Sequence, residues 1–191
     1  MIKKFFLFLL WSLCALFIEP WTAPALAGTK AEISEVNVVT EGTNVELSFS
    51  IVNCFTPKME EAIENGVPTT FRIHVVLEKT GLPYLREKFL DIVLEHTIKY
   101  DRLKNEYRVE LLEHPDHPRT TKDIEEAKEW MSVIHELPLL PLWRMQKGAT
   151  YQIRMKAELS KVNLPLFFRY VFFFVSLWDF ETDWQKVTFS P

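Results

Sequence analysis

The sequence predicts a mainly β fold, an antiparallel β-sandwich or curved sheet that carries two helices. Three observations lead to this prediction: six runs in which apolar and polar residues alternate, short polar links between several of these runs, and only two segments with helical spacing. Half-polar strands indicate an antiparallel sheet with one wet face, because parallel sheets covered on both faces have continuous apolar strands. An α+β arrangement with both helices on one face of the sheet is the alternative.

The strand pattern is clearest at residues 45–51, where valine, leucine, phenylalanine and isoleucine occupy every second position. One weaker run precedes it and four similar runs follow. The predicted strands are residues 33–40, 45–51, 71–77, 90–100, 107–111 and 151–159. Polar links at residues 42–44 and 101–105 each separate two runs, as in antiparallel neighbours.

Two helices are predicted between the strands. The first has Thr56 as its N-cap and Pro57 at its opening position, and it ends at Asn65 and Gly66. Its apolar face consists of Met59, Ala62 and Ile63. The second has Thr120 as its predicted cap, with Asp123 three residues later, and a stripe made of Ile124, Ala127, Met131 and Ile134. The proline-rich residues 114–118 and 137–142 are predicted to be loops.

The first 27 residues have the pattern of a secretory signal peptide. Lys3 and Lys4 precede an apolar run at residues 5–18, and small residues follow as far as Ala27. The run is shorter than the roughly 20 residues that span a bilayer as a helix. We therefore expect cleavage after Ala27, a single globular domain at residues 28–191, and a periplasmic or extracellular location. An uncleaved anchor in the inner membrane is the alternative.

Composition and missing motifs exclude several classes of chemistry. A net charge of -4 disfavours nucleic-acid binding, which requires a dense basic surface. With five glycines there is no glycine-rich phosphate loop, so no nucleotide is expected, and there is no G-x-S-x-G turn for a serine nucleophile. We expect no cofactor and no enzymatic activity. Cys54, the one cysteine left after cleavage, is predicted to be a small buried side chain.

Five histidines give one candidate metal site. His114, Asp116 and His117 place two imidazoles and a carboxylate close together in sequence, and these groups suit zinc or copper. An exposed turn is the favoured interpretation, because the prolines limit convergence and no second cluster supplies more ligands. His96 interrupts an apolar strand face and is predicted to be a hydrogen-bonded core or rim residue. His74 and His135 belong to no constellation.

The C-terminal part of the chain is rich in aromatic residues, above all at residues 164–178. Its environment must be largely dry, but the spacing does not decide between helix and strand. A buried element is the favoured interpretation, and a surface for a protein or lipid is the alternative. The candidate binding residues are Phe167, Phe168, Phe172, Phe174, Trp178 and Trp184.

Several short motifs follow one another in a fixed order over about residues 44–185. They are residues 45–51, Asn65-Gly66-Val67-Pro68, Ile98-Lys99-Tyr100, Glu106-Tyr107-Arg108-Val109, Lys147-Gly148-Ala149-Thr150-Tyr151, and Leu164-Pro165-Leu166 leading toward Trp178 and Trp184. In these motifs and their order the chain resembles a bacterial family of exported proteins, the domain of unknown function 4390. The resemblance implies an exported or envelope-associated protein without an assigned activity, and it carries over no catalytic residues.

These observations together predict an exported, non-enzymatic binding or interaction protein of the bacterial cell envelope. Its expected partner is an envelope protein or a membrane surface. Two alternatives remain open at this point: a metal-dependent hydrolase centred on the loop from His114 to His117, and a carrier of a lipid or another hydrophobic ligand.

Overall fold

The computed structural model describes residues 30–81, 86–160 and 180–191, and in these ranges the chain forms nine strands and two α-helices. The elements in order are β1 (Glu32–Val39), β2 (Asn44–Val52), α1 (Pro57–Glu64), β3 (Thr69–Thr80), β4 (Arg86–Asp101), β5 (Glu106–Leu111), β6 (Arg119–Thr121), α2 (Ile124–Ser132), β7 (Val133–Pro141), a 3-10 turn (Leu142–Arg144), β8 (Thr150–Leu159) and β9 (Gln185–Phe189). The predicted signal peptide and the aromatic residues 164–178 lie outside the described residues.

The strands form two antiparallel sheets. One has three strands in the order β1-β2-β7, and the other has six in the order β6-β5-β4-β3-β8-β9. All six predicted strands are present, as β1 to β5 and β8. The prediction of a mainly β fold with two short helices is therefore confirmed. No helix in the described ranges has the length and apolarity needed to cross a bilayer.

Alternation along the strands decides which side chains form the core. In β2 every second side chain is buried, from Val45 to Ile51, and β8 repeats this pattern from Tyr151 to Leu159. The inward residues of both sheets join one hydrophobic cluster, together with Met131 of α2. Burying apolar area contributes about 25 cal/mol per Å², so this shared cluster is the main stabilising contribution to the fold.

Helix α1 forms as its sequence predicts. The Thr56 side chain accepts a hydrogen bond from the Met59 amide at 3.2 Å, Pro57 opens the helix, and Asn65 follows its last residue. Gly66 then adopts φ = 85°, a left-handed conformation that favours glycine. The buried face consists of Met59, Ala62 and Ile63, as expected.

Helix α2 begins later than its sequence suggests. The N-cap is Asp123, whose carboxylate accepts a hydrogen bond from the Glu125 amide at 2.9 Å. Thr120, the predicted cap, instead pairs with Arg108 between β5 and β6. The helix ends at Ser132, so Ile134 is buried from strand β7 and not from the helical stripe. Strand β6, which includes Thr120, has three residues and is too short to be recognised by an alternation of polar and apolar residues.

The prediction of a loop at residues 137–142 is wrong, because most of this stretch belongs to β7. In the part of the chain that the structure describes, β7 pairs with β2 alone and forms the edge of its sheet, so prolines are tolerated at Pro138 and Pro141. Leu137, Leu139 and Leu140 are buried. The other proline-rich stretch, residues 114–118, is an exposed turn as predicted.

Candidate functional site

The candidate site is a platform around Trp184 on the outer face of the six-stranded sheet. His74 of β3 and Lys156 of β8 are opposite each other in register, and both alternate with residues that face the core. Arg154 precedes Lys156 on the same face. Trp184 stands just before β9, which pairs with β8, so the topology brings its indole over these three side chains. We call Trp184, His74, Arg154 and Lys156 the Trp184 platform.

Contacts with cations hold the indole in place. The Arg154 Cζ atom lies 5.2 Å from the ring centroid of Trp184, and the Lys156 Nζ atom lies 5.9 Å from it. The His74 ring packs edge-on at 6.4 Å between centroids. Both cations are within the range of cation–π attraction. Even so, 40% of the Trp184 surface remains exposed.

An ion-pair network surrounds the platform. His74 Nε2 donates to Glu158 Oε1 at 3.3 Å, and Lys156 Nζ lies 3.5 Å from Glu158 Oε2. Lys156 also makes a closer ion pair with Glu181. Arg154 Nε lies 3.4 Å from Glu78 Oε1. Positively and negatively charged side chains thus alternate on this face, and their ion pairs fix the side chains around the indole.

The network shifts two pKa values. Partial burial raises the pKa of Glu158, but the hydrogen bond from His74 and the charges of His74 and Lys156 outweigh it, so that the pKa is lowered. The hydrogen bond from Lys156 to Glu181 raises the pKa of Lys156, again against a cost of burial. Both shifts favour the charged forms at neutral pH, which keeps the network intact there.

The platform brings together an aromatic ring and several polar groups. It combines a half-exposed indole with guanidinium, ammonium and imidazole groups, and tryptophan and arginine are the residue types that most often dominate binding energy at interfaces. Its acidic and basic groups are engaged with each other in ion pairs.

The candidate metal loop is a tight exposed turn. The His114 amide donates to Leu111 O at 2.9 Å, and the His117 amide donates to His114 O at 3.1 Å. His114, Asp116 and His117 are all exposed. Within residues 30–81, 86–160 and 180–191, no group of three or more histidine, cysteine or acidic side chains is placed to hold a metal ion. The geometry thus gives no support to a hydrolase centred on this loop.

His96 is fully buried, as the prediction of a hydrogen-bonded core residue requires. Its Nδ1 atom lies 2.9 Å from Met131 O, and its Nε2 atom lies 2.8 Å from Glu113 Oε1. Because a carbonyl oxygen can only accept, Nδ1 carries a proton. Burial raises the pKa of Glu113, but the hydrogen bond and the charge of His96 outweigh it, and the pKa is lowered. Through these two hydrogen bonds, His96 ties β4 both to the end of α2 and to the turn that follows β5.

Cys54 is buried and forms one side of an open groove of about 380 Å³ between the end of β2 and α2. Its thiol donates to Ile51 O at 3.3 Å, and burial raises its pKa to about 12. Lys128 lies in the same groove over the ring of Phe55, at 5.6 Å from its centroid. The prediction that Cys54 is a small buried side chain is confirmed, and the raised pKa disfavours the thiolate, which is the reactive form.

Of the six aromatic residues predicted to bind a partner, Trp184 is on the platform. Phe167, Phe168, Phe172, Phe174 and Trp178 lie outside the described residues. The sequence did not indicate His74, Arg154 or Lys156, because their proximity to Trp184 depends on pairing between β3, β8 and β9. The one signal in the sequence was that these three residues occupy outward, polar positions of strands in which polar and apolar residues alternate.

Comparison with known proteins gives one match. A family model described as "Domain of unknown function (DUF4390)" matches residues 28–188. No curated protein and no solved structure matches the chain. The matched range includes every element of the Trp184 platform.

Proposed function

This chain belongs to the family described as domain of unknown function DUF4390, and on that premise we propose that it is an exported, non-enzymatic binding protein of the bacterial cell envelope. Its recognition surface is the Trp184 platform, and its partner there is another envelope protein. The signal-peptide pattern of the first 27 residues supports export.

One observation carries the proposal: an indole in contact with two cations keeps 40% of its surface exposed. A preorganised tryptophan loses little conformational freedom when a partner covers it, so that more of the contact energy remains as affinity. The surrounding ion pairs form a polar rim, which is the usual border of a protein interface.

The binding role is tested by photocrosslinking in intact cells. A photoreactive phenylalanine analogue replaces Trp184 in one strain and Leu103 in another, because Leu103 is 99% exposed at the β4–β5 turn and serves as a matched surface control. We expect one discrete crosslinked product from position 184 and none from position 103. Equal products from both positions, or none from position 184, would contradict the proposal.

A second variant tests whether the platform itself recognises the partner. Arg154→Ala removes the cation nearest to the Trp184 ring. We expect it to reduce the crosslinked product severalfold when the photoreactive residue replaces Lys186, which is opposite Arg154 in register. Arg108→Ala, in β5, is the matched control and should leave the product unchanged.

Export is tested separately on the protein recovered from cells. N-terminal sequencing should give Gly28 as the first residue, and the protein should be released with the periplasmic or extracellular fraction. Recovery of the chain with Met1 retained in the cytoplasmic fraction would contradict export, whatever the result of the crosslinking.

A further inference from the structure

A second exposed tryptophan lies in a different part of the molecule, and the Trp184 platform does not account for it. Trp143 is in the 3-10 turn between β7 and β8, and 82% of its surface is exposed. Its side chain has no aromatic or cation–π contact within the described ranges. A tryptophan has an apolar body and a polar N–H group, and it suits a boundary where one end of the ring is apolar and the other is wet.

The backbone around Trp143 is held rigidly. The Leu142 amide donates to Thr43 O at 2.9 Å, and the Met145 amide donates to Leu142 O at 3.0 Å. The Gln146 amide donates to the Tyr151 hydroxyl at 2.9 Å. Met145 itself is buried, so it anchors the turn to the core on the side away from Trp143. The exposed ring is therefore presented by a fixed loop and not by a fraying end.

Three cations accompany the ring. Arg144 and Lys147 belong to the same loop, and Lys79 is attached to it through a hydrogen bond from its Nζ atom to Gln146 Oε1 at 2.6 Å. Among the described residues, none of the three forms an ion pair with a carboxylate. Glu87 is opposite Lys79 in register without pairing to it. This contrasts with the Trp184 platform, where every cation faces a carboxylate.

We propose that the loop of Trp143, Arg144 and Lys147, with Lys79 beside it, docks the protein onto an anionic lipid bilayer. The ring enters the headgroup region and the three cations lie against lipid phosphates. Tryptophan is the residue type enriched at membrane interfaces, where an apolar ring meets water through its N–H group. Each basic residue close to an anionic bilayer adds electrostatic attraction to the lipid headgroups.

The state of the cations favours lipid over a protein partner. At the Trp184 platform the cations already pair with carboxylates, whereas among the described residues Arg144, Lys147 and Lys79 have no such pair and can meet lipid phosphates. A fluid headgroup layer can also accommodate one exposed ring without matching its shape. Because the chain as a whole carries a net charge of -4, the attraction comes from local positive charge and should weaken with salt.

Vesicle flotation of the exported protein, recovered from the periplasmic or extracellular fraction, tests the proposal. Vesicles of phosphatidylglycerol with phosphatidylcholine are compared with vesicles of phosphatidylcholine alone. The variants are Trp143→Ala and the double change Arg144→Gln with Lys147→Gln. The matched control is Leu103→Ala combined with Arg102→Gln and Lys104→Gln, an exposed apolar side chain between two cations on another turn. The form expected in that fraction begins at Gly28, so the apolar run at residues 5–18 does not contribute to binding.

We expect Trp143→Ala to lower partitioning onto the anionic vesicles on the order of tenfold. The double charge change should lower it by about fivefold for each cation removed. The control should bind as the unmodified chain does, and added salt should weaken binding of the unmodified chain more than that of the double charge variant. Equal binding by all variants, or a loss in the control alone, would overturn the proposal.

A fluorescence measurement checks the depth of the ring. Lipids brominated near the headgroup should quench the unmodified chain more than Trp143→Phe, and the difference reports the Trp143 indole alone. No difference would overturn the proposal. The proposal would also be overturned if the loop bound a soluble polyanionic protein while Trp143→Ala and the double charge change left vesicle binding unchanged. The crosslinking at position 184 is independent of either result.

Discussion

The buried pair of His96 and Glu113 places a titratable interaction at the junction of β4 and α2. Both nitrogens of His96 face acceptors, and the lowered pKa of Glu113 means that the folded state favours its carboxylate. A carboxyl whose pKa is lower in the folded state than in the unfolded state stabilises the fold at every pH above its pKa in the unfolded state. This contribution is lost as the pH falls through the pKa of the folded state.

Glu113→Gln should therefore lower the free energy of unfolding at pH 7 by about 1–2 kcal/mol, because it removes a charge-assisted hydrogen bond in a mostly buried site. The variant should also lose less stability than the unmodified protein when the pH falls below about 4, near the ordinary pKa of a glutamate. Urea unfolding at both pH values measures this. Glu110→Gln, which breaks a pair between two half-exposed side chains, is the control and should change little.

The thiol of Cys54 is expected to be inert in the folded protein. Because its pKa rises from 9.0 to about 12, the thiolate fraction at pH 8 falls by about a thousandfold. In a chain with Cys14→Ser, a thiol-specific reagent should label Cys54 only after unfolding in urea. Rapid labelling of the folded protein at pH 8 would contradict the burial that the fold gives this residue.

At the scale of elements, the structure departs from the sequence patterns at a helix cap and at the edge of a sheet. The sequence predicted α1 with its cap, since proline at the first position and Asn65-Gly66 at the end are both local signals. For α2, Thr120 and Asp123 both fit the cap, and the choice depends on whether residues 119–121 pair with β5. That pairing is a contact between elements and leaves no local mark.

The two capping residues can be distinguished by their effect on stability. Asp123→Ala should lower the free energy of unfolding by about 1 kcal/mol, because it leaves an amide of the first turn of α2 without its acceptor. Thr120→Ala should change it by less than about 0.5 kcal/mol, as expected for an exposed position. Thermal unfolding of both variants measures the difference, and a larger cost for Thr120→Ala would favour the earlier helix start.

Strand β7 and the candidate site also depend on contacts between elements, which the local sequence does not show. Pro138 and Pro141 mark a loop in a sequence window, and only the position of β7 at the edge of its sheet explains why they are accepted in a strand. His74 and Trp184 are far apart in the chain and meet through two successive strand pairings. Sequence patterns predicted β3 and β8, which carry His74, Arg154 and Lys156, but neither β9 nor the pairing that brings Trp184 over them.

At the scale of the whole molecule, the two sheets share one hydrophobic cluster. Phe49 belongs to the three-stranded sheet and Ile153 to the six-stranded sheet, and both are buried. A shared core means that neither sheet keeps its apolar face covered when the other unfolds. The two sheets should therefore unfold together in one cooperative transition.

Phe49→Ala and Ile153→Ala test this cooperativity. Each should lower the free energy of unfolding by about 2–5 kcal/mol, because each leaves a cavity in the same core. In urea, tryptophan fluorescence and circular dichroism should report the same midpoint for each variant. Two separate midpoints, of which each substitution moves only one, would show that the sheets are independent.

The edges of the three-stranded sheet have a consequence for how copies of the protein behave at high concentration. Strand β1 is interrupted between Ser34 and Asn37, where Glu35 takes φ = 54°, and β7 contains two prolines and Glu136 at φ = 46°. A regular row of free amide and carbonyl groups would let a second chain add a strand and grow into fibres. As far as residues 30–81, 86–160 and 180–191 show, both borders of this sheet lack such a row, which protects the protein from aggregating through β1 and β7.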